Sequence, residues 1–141
     1  DVVVRPGAMP VLDADDVVAL ARSGVLLDAR AAPRYRGETE PVDPKAGHIP
    51  GARNLPATEI TGSDGRLRAP AELAEQFAAR GATGATPVAA YCGSGVNAAA
   101  LVLAAEHAGL RSPDDPVALF PGSWSQWSSD PSRPVATGVD P

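Results

Sequence analysis

Tyr91-Cys92-Gly93-Ser94-Gly95-Val96-Asn97-Ala98 follows an apolar, strand-like run, Pro87-Val88-Ala89-Ala90-Tyr91, and leads into an alanine-rich stretch, Asn97 to Ala108, of helical composition. The order strand, tight turn, helix places the only cysteine of the chain at a glycine-rich loop. Gly93 and Gly95 let the backbone fold so that several N–H groups point inward, and the start of the helix adds the positive end of its dipole. A sulfur anion is stabilised in such a loop, and the thiolate, not the thiol, is the nucleophile. The competing reading is a small buried apolar side chain, a common role for a free cysteine. That role needs neither glycine nor the helix start, so the chemical reading is the one carried forward.

Outward from this loop the chain alternates strand and helix signals. Val11-Leu12 reads as a brief strand, and Asp13 or Asp15 caps a helix with Val17, Val18 and Ala21 at helical spacing, ended by Ser23-Gly24. Val25-Leu26-Leu27-Asp28-Ala29 is a continuous apolar run, the pattern of a parallel strand buried on both faces. Ala52 to Leu55 predicts another short strand, Pro70 to Arg80 a helix closed by Gly81, and Val117 to Phe120 a last strand before a helical piece with Trp124 and Trp127. About five short strands with four or five helices predict an α/β domain with a mostly parallel sheet covered on both faces. We expect residues 1–10 as a linker, 11–127 as the domain and 128–141, proline-rich and polar, as a loosely ordered tail.

Composition narrows the partners. The chain has 141 residues, 44% hydrophobic and 21% charged, enough for a core without disulfides. A net charge of −5 with twelve Lys and Arg argues against nucleic acid as the main partner. No apolar run reaches a membrane span, so we expect a soluble protein without a membrane partner, in the cytoplasm. Because the chain opens at Asp1 and its only methionine is Met9, we expect a piece of something longer.

Residues 30–47 form a long, polar, irregular stretch with Arg30, Arg34, Arg36 and Lys45. Arg34 or Arg36 is placed to clamp an anion with a planar fork, or else to pair with Glu38 and Glu40; both readings stand at this point. Asp28, at the carboxyl end of its strand, is read as tying down the next loop, and His48, beside the Pro50-Gly51 turn, as pinning that turn.

Gly93-Ser94-Gly95-Val96-Asn97-Ala98 formally satisfies a dinucleotide fingerprint, but Asp114 and Asp115 precede the next strand instead of ending it, and no Walker lysine is present. A cysteine phosphatase closes its loop with arginine where this chain has Asn97 and Ala98. One cysteine and two histidines at unrelated spacings make no metal ligand set.

Three segments in order resemble the rhodanese-type sulfurtransferases, specifically the carboxyl-terminal catalytic half of the two-domain kind. They are Leu27-Asp28-Ala29-Arg30 through Arg34-Tyr35 to Gly47-His48-Ile49-Pro50-Gly51-Ala52, the loop Cys92-Gly93-Ser94-Gly95-Val96, and Phe120-Pro121-Gly122-Ser123-Trp124. The resemblance implies a rhodanese-like fold with a five-stranded parallel sheet flanked by helices. It implies a thiosulfate or 3-mercaptopyruvate sulfurtransferase in which Cys92 takes a sulfur from a small anionic donor as a persulfide and passes it to cyanide or a thiol. Arg34 matches the arginine that grips the donor, and Gly93, Ser94, Gly95, Val96 and Asn97 hold donor and persulfide, with no metal or organic cofactor. A C-G-S-G-V loop resembles mercaptopyruvate users, while arginine and lysine in place of Gly93 and Ser94 resemble thiosulfate users. Asn97 stands where threonine is usual, Val42 near a second arginine of the mercaptopyruvate type, and Gln126 in place of a glutamate. The resemblance also implies an amino-terminal rhodanese-like partner domain in the same longer chain, whose absence leaves an apolar surface exposed and turnover slow. The alternative is a non-catalytic binding or regulatory module of the same fold.

Overall fold

The structure is a computed structural model that describes Val3, Gly7 and residues 9–141. Most of the expected linker, residues 1–10, lies outside the described residues. Four parallel strands, β1 (Val25–Asp28), β2 (Ala52–Asn54), β3 (Val88–Tyr91) and β4 (Ala118–Leu119), form one sheet in the order β2-β1-β3-β4. Strand β1 lies between β2 and β3, with Asp28 level with Asn54 on one side and Tyr91 on the other. Both central strands are buried along their whole length, which is why their sequences are continuous apolar runs without polar alternation.

Alternate residues of those strands feed two cores. Val25, Leu27, Val88, Ala90 and Cys92 pack with Leu73 and Phe77 of α3 (Pro70–Ala79) and Leu101 and Ala105 of α4 (Val96–His107). Leu26, Ala89 and Tyr91 pack on the other face with Val17 of α1 (Ala14–Ser23) and Trp124 and Trp127 of α5 (Ser123–Ser129). Helix α1 begins as its sequence predicts: Asp13 accepts from the N–H groups of Asp15 and Asp16, and Asp16 returns a bond to the Asp13 N–H. It ends at Gly24, where a Cβ would lie 2.2 Å from the Pro87 carbonyl oxygen that receives the Val25 N–H. Among the described residues no helix is long and apolar enough to cross a membrane.

Three expectations are corrected. Among the described residues the sheet has four strands, not five. The predicted strand at Val11-Leu12 is a single parallel bridge from Val11 to Leu119, with Leu12 donating to Leu119 at 2.8 Å. Pro10 has no N–H to continue the ladder and Asp13 already caps α1, so there is no length left for a strand. The stretch 30–47 is not wholly irregular, because Ala32–Tyr35 forms the one-turn helix α2, with proline in its first turn.

Residues 128–141, expected as a loosely ordered tail, make a set of contacts with the domain. Ala136 and His48 exchange backbone hydrogen bonds of 3.0 and 2.9 Å, and Trp127 Nε1 donates to Pro134 at 2.8 Å. Lys45 Nζ donates to the Asp130 carbonyl at 2.8 Å, while Arg133 pairs with Asp15 and lies over the Trp127 ring at 4.9 Å. The segment is held because buried donors of the domain need acceptors, and its backbone carbonyls supply them. Gly47 lets it approach, since a Cβ there would lie 2.3 Å from the Ala136 oxygen.

Candidate active site

Cys92 is the first residue after β3 and is 3% exposed. Gly95 takes φ +89°, the left-handed conformation that ends the loop and starts α4, and its N–H donates to Cys92 Sγ at 3.0 Å. The loop is fastened from behind by the start of α5. Ser123 Oγ accepts the Cys92 N–H at 3.1 Å and donates to the Phe120 carbonyl at 2.9 Å. The N–H groups of Trp124 and Ser125, which would have no partner within their own helix, donate to the Cys92 and Gly93 carbonyls at 2.9 and 3.1 Å. In a trans peptide the N–H points opposite to the C=O, so with these two carbonyls turned toward α5 the N–H groups of Gly93 and Ser94 point away from it. Ser123 itself holds φ +54°, a non-glycine residue in the left-handed region, beside the loop it fastens.

A pocket of about 360 Å³ opens at this loop. It brings together Cys92, Gly93, Ser94, Val96, Asn97 and, from α2, Arg34, as the sequence reading groups them; Arg30 and Ala31 complete its wall. Gly95 does not line it and acts from behind the sulfur. The pairing of Arg34 with Glu40, one of its two readings, is present. Its Nη2 donates to Glu40 at 2.7 Å and Asp43 at 3.2 Å, while its Nε is buried without a hydrogen-bond partner and a Cβ built on Gly93 would lie 3.5 Å from its Nη1. Arg36 instead pairs with Glu38 at 2.7 Å and is not part of the pocket wall.

Arg30 is fixed more firmly. It grips Asp28 through Nε and through Nη2 at 2.6 Å, donates to the Gly47 carbonyl at 2.6 Å and lies 4.5 Å over the Trp124 ring. Asp28 also receives the Arg30 N–H at 2.9 Å, the loop-tying role read from its position. Burial pushes the Glu40 carboxyl up, but hydrogen bonds from Arg34 and from the N–H groups of Asp43 and Val42 outweigh it and hold the group below its ordinary range. His48 sits away from the pocket: Nδ1–H donates to the Tyr35 carbonyl at 2.8 Å and the ring stacks on Tyr35 at 3.8 Å, so it ties its loop to α2 and not, as expected, the Pro50-Gly51 turn. Among the described residues no cluster of His, Cys, Asp and Glu is arranged to hold a metal.

The site residues missed in sequence are Ser123 and Arg30. A serine in a Pro-Gly-Ser turn carries no mark that its hydroxyl will meet a loop 31 residues away. Arg30 enters the sequence reading as one cation of a polar stretch and as part of a family-like segment, without a role, and its burial depends on a tryptophan-bearing helix from the far end of the chain.

The arrangement is a cysteine with an N–H on its sulfur, sharing a small polar-walled pocket with an arginine, at the carboxyl ends of parallel strands. Comparison with known proteins points the same way. A 3-mercaptopyruvate sulfurtransferase of Pseudomonas aeruginosa, so named as probable, is 49% identical over 138 residues, covering 95% of this chain and 47% of that protein. SseB of Mycobacterium tuberculosis, provisionally named a thiosulfate sulfurtransferase, is 47% identical over 114 residues, covering 81% of this chain and 38% of that one. The chain thus spans less than half the length of these curated relatives. The structure of an EanB variant with ergothioneine covalently linked to a persulfide cysteine superposes with a TM-score of 0.83 at 27% identity, covering 93% of this chain and 32% of that one. Residues 13–130 match the family described as the rhodanese-like domain, a span running from the cap of α1 to the end of α5 and enclosing the whole cysteine loop, and the chain belongs to that family.

Proposed function

We propose that this chain is the cysteine-bearing domain of a sulfurtransferase that moves a sulfane sulfur through a Cys92 persulfide. The observation that carries the reading is the Gly95 N–H on Cys92 Sγ inside a pocket whose other wall is Arg34. With 3-mercaptopyruvate, the Cys92 thiolate attacks the donor sulfur and the C–S bond breaks. Its electron pair passes to carbon, which takes up the thiol proton to give pyruvate, and Cys92 is left as a persulfide anion. An acceptor thiolate or cyanide then attacks the outer sulfur, and the S–S pair returns to Cys92. Preorganised N–H groups serve the anionic sulfur at both stages, and Arg34 Nη1 serves the donor carboxylate.

Mercaptopyruvate is the preferred donor in this reading because Gly93 and Ser94 bring no cation for a compact dianion, and Ser94 has a hydroxyl to offer the reacting sulfur. Thiosulfate is the second reading, favoured by Val42, which brings no arginine at a position where the mercaptopyruvate type has one. Val42 and Val96 are each 75% exposed, and Val96 lines the pocket. Cover from an amino-terminal domain of the same longer protein fits these exposed side chains and the length of the relatives. Mixing the protein with donor and weighing it intact tests the proposal: the expected result is a gain of one sulfur atom that Cys92→Ser abolishes. No adduct with either donor on the full-length protein would turn the assignment to a non-catalytic module.

A further inference from the structure

Glu40 binds both arginines of the pocket at once. Its Oε1 accepts from Arg34 Nη2 at 2.7 Å and its Oε2 from Arg30 Nη1 at 3.4 Å. The same Oε1 accepts the N–H groups of Val42 and Asp43 at 3.1 Å each, which folds the chain back so that Asp43 Oδ2 reaches the same Arg34 Nη2 at 3.2 Å. The Glu40 side chain is only 5% exposed. Arg30 is immobilised by Asp28, the Gly47 carbonyl and the Trp124 ring, so a rigid relay runs from the end of β1 through Arg30 and Glu40 to Arg34.

With Nη2 occupied by two carboxylates and Nε buried, the donor of Arg34 left for the pocket is Nη1, beside Gly93. The geometry points to Glu40 as the positioning residue for Arg34: it holds Nη2 so that the guanidinium presents Nη1 to the cysteine loop and fixes the direction from which an anion approaches Cys92. This rests on the sulfurtransferase reading, in which Arg34 grips the donor. A bare charge argument has the opposite sign. If Glu40 only neutralised Arg34, its removal would strengthen the attraction for anions; if it positions Arg34, its removal weakens it, because a freed guanidinium on a long side chain spreads over many rotamers.

The test needs no sulfur donor. In the full-length protein, Cys92 is alkylated with iodoacetate, which is anionic, and with iodoacetamide, which is neutral, and the ratio of the two rates is read at Cys92 by peptide mass. The ratio cancels changes common to both reagents. Glu40→Gln and Arg34→Met are each expected to lower it by roughly threefold to fivefold, the scale of one partly screened charge contact, and the double variant to lie no lower than Arg34→Met alone. A ratio unchanged or raised in Glu40→Gln, or a further fall in the double variant, overturns the proposal. Should Glu40→Gln fail to fold by circular dichroism, Glu40→Asp, too short to span both arginines, is read against the same outcomes. Donor kinetics provide the second readout: Glu40→Gln raises KM for mercaptopyruvate with little change in kcat. Absence of sulfur transfer with the alkylation ratios as expected defeats the functional reading and leaves the positioning role intact; transfer with unresponsive ratios does the reverse.

Discussion

The Gly95 N–H reaches Cys92 Sγ at 3.0 Å only because Gly95 sits at φ +89°, packed against the Pro121 carbonyl. A side chain there meets two obstacles, the left-handed backbone and a Cβ placed 3.0 Å from the Pro121 oxygen. Gly95→Ala is therefore expected to lose about 1–3 kcal/mol of stability, the usual cost of a strained backbone position, and to slow alkylation of Cys92. Urea unfolding together with the iodoacetamide rate checks both; a variant as stable and as reactive as the parent would show that the loop does not depend on this conformation.

Ser123 separates backbone strain from hydrogen bonding. Its φ of +54° suits glycine better, but its hydroxyl is the acceptor for the buried Cys92 N–H. Ser123→Gly relieves the strain and loses the bond, whereas Ser123→Ala keeps the strain and leaves the N–H unpaired, a loss of about 1–3 kcal/mol. The expected order of denaturation midpoints is parent, then glycine, then alanine. Alanine ranking above glycine would mean that the positive φ carries no strain, and alanine matching the parent that the hydroxyl bond contributes nothing to the loop.

What the sequence discloses is local. Asp13, Gly24, Gly81 and Gly95 mark helix ends by their own backbone requirements, so the boundaries of α1, α3 and α4 are readable within a residue or two. The cysteine loop is contiguous and was legible in full. The relay from Asp28 to Arg34 was legible only as pairing tendencies, because each arginine had more than one carboxylate within reach in sequence. The order of the tail was hidden for the opposite reason: its anchors, His48 and Lys45, lie some 85 residues or more upstream and bind backbone carbonyls, which no side-chain pattern announces. The missing fifth strand followed from Pro10, whose lack of an N–H matters only once its neighbour is known to be Leu119.

Donor choice is testable at Val42. This side chain is 75% exposed, one residue from the Asp43 that touches Arg34. Val42→Arg adds a cation next in sequence to Asp43 without disturbing a buried group, and is expected to raise kcat/KM for mercaptopyruvate several-fold through KM, by the 0.2–1 kcal/mol scale typical of roughly one exposed ion pair. Equal gains for mercaptopyruvate and thiosulfate would show that the added charge acts as a general attractor and not as a carboxylate clamp.

His48 sets a pH dependence that belongs to stability, not to chemistry. Burial lowers its pKa below the ordinary 6.5, opposed by the carbonyls of Tyr35 and Asp140 and the charge of Asp28. The neutral ring donates from Nδ1 to Tyr35, while Nε2 lies 3.2 Å from the Asp140 carbonyl oxygen. A proton on Nε2 would gain that acceptor, but the lowered pKa shows that desolvating the cation outweighs the gain. Because the unfolded chain binds this proton more readily, the contribution is fully present above pH 6.5 and is lost as pH falls from there through the folded pKa. His48→Phe keeps the stack on Tyr35 and removes the titration. Its melting temperature is expected to be lower at pH 7.5 but to fall less than that of the parent between pH 7.5 and 5.5, as thermal unfolding across that window would show. Parallel pH profiles for the two proteins would mean that His48 enters the folded and unfolded states with the same proton affinity, and that the strap formed with Ala136 is insensitive to its charge.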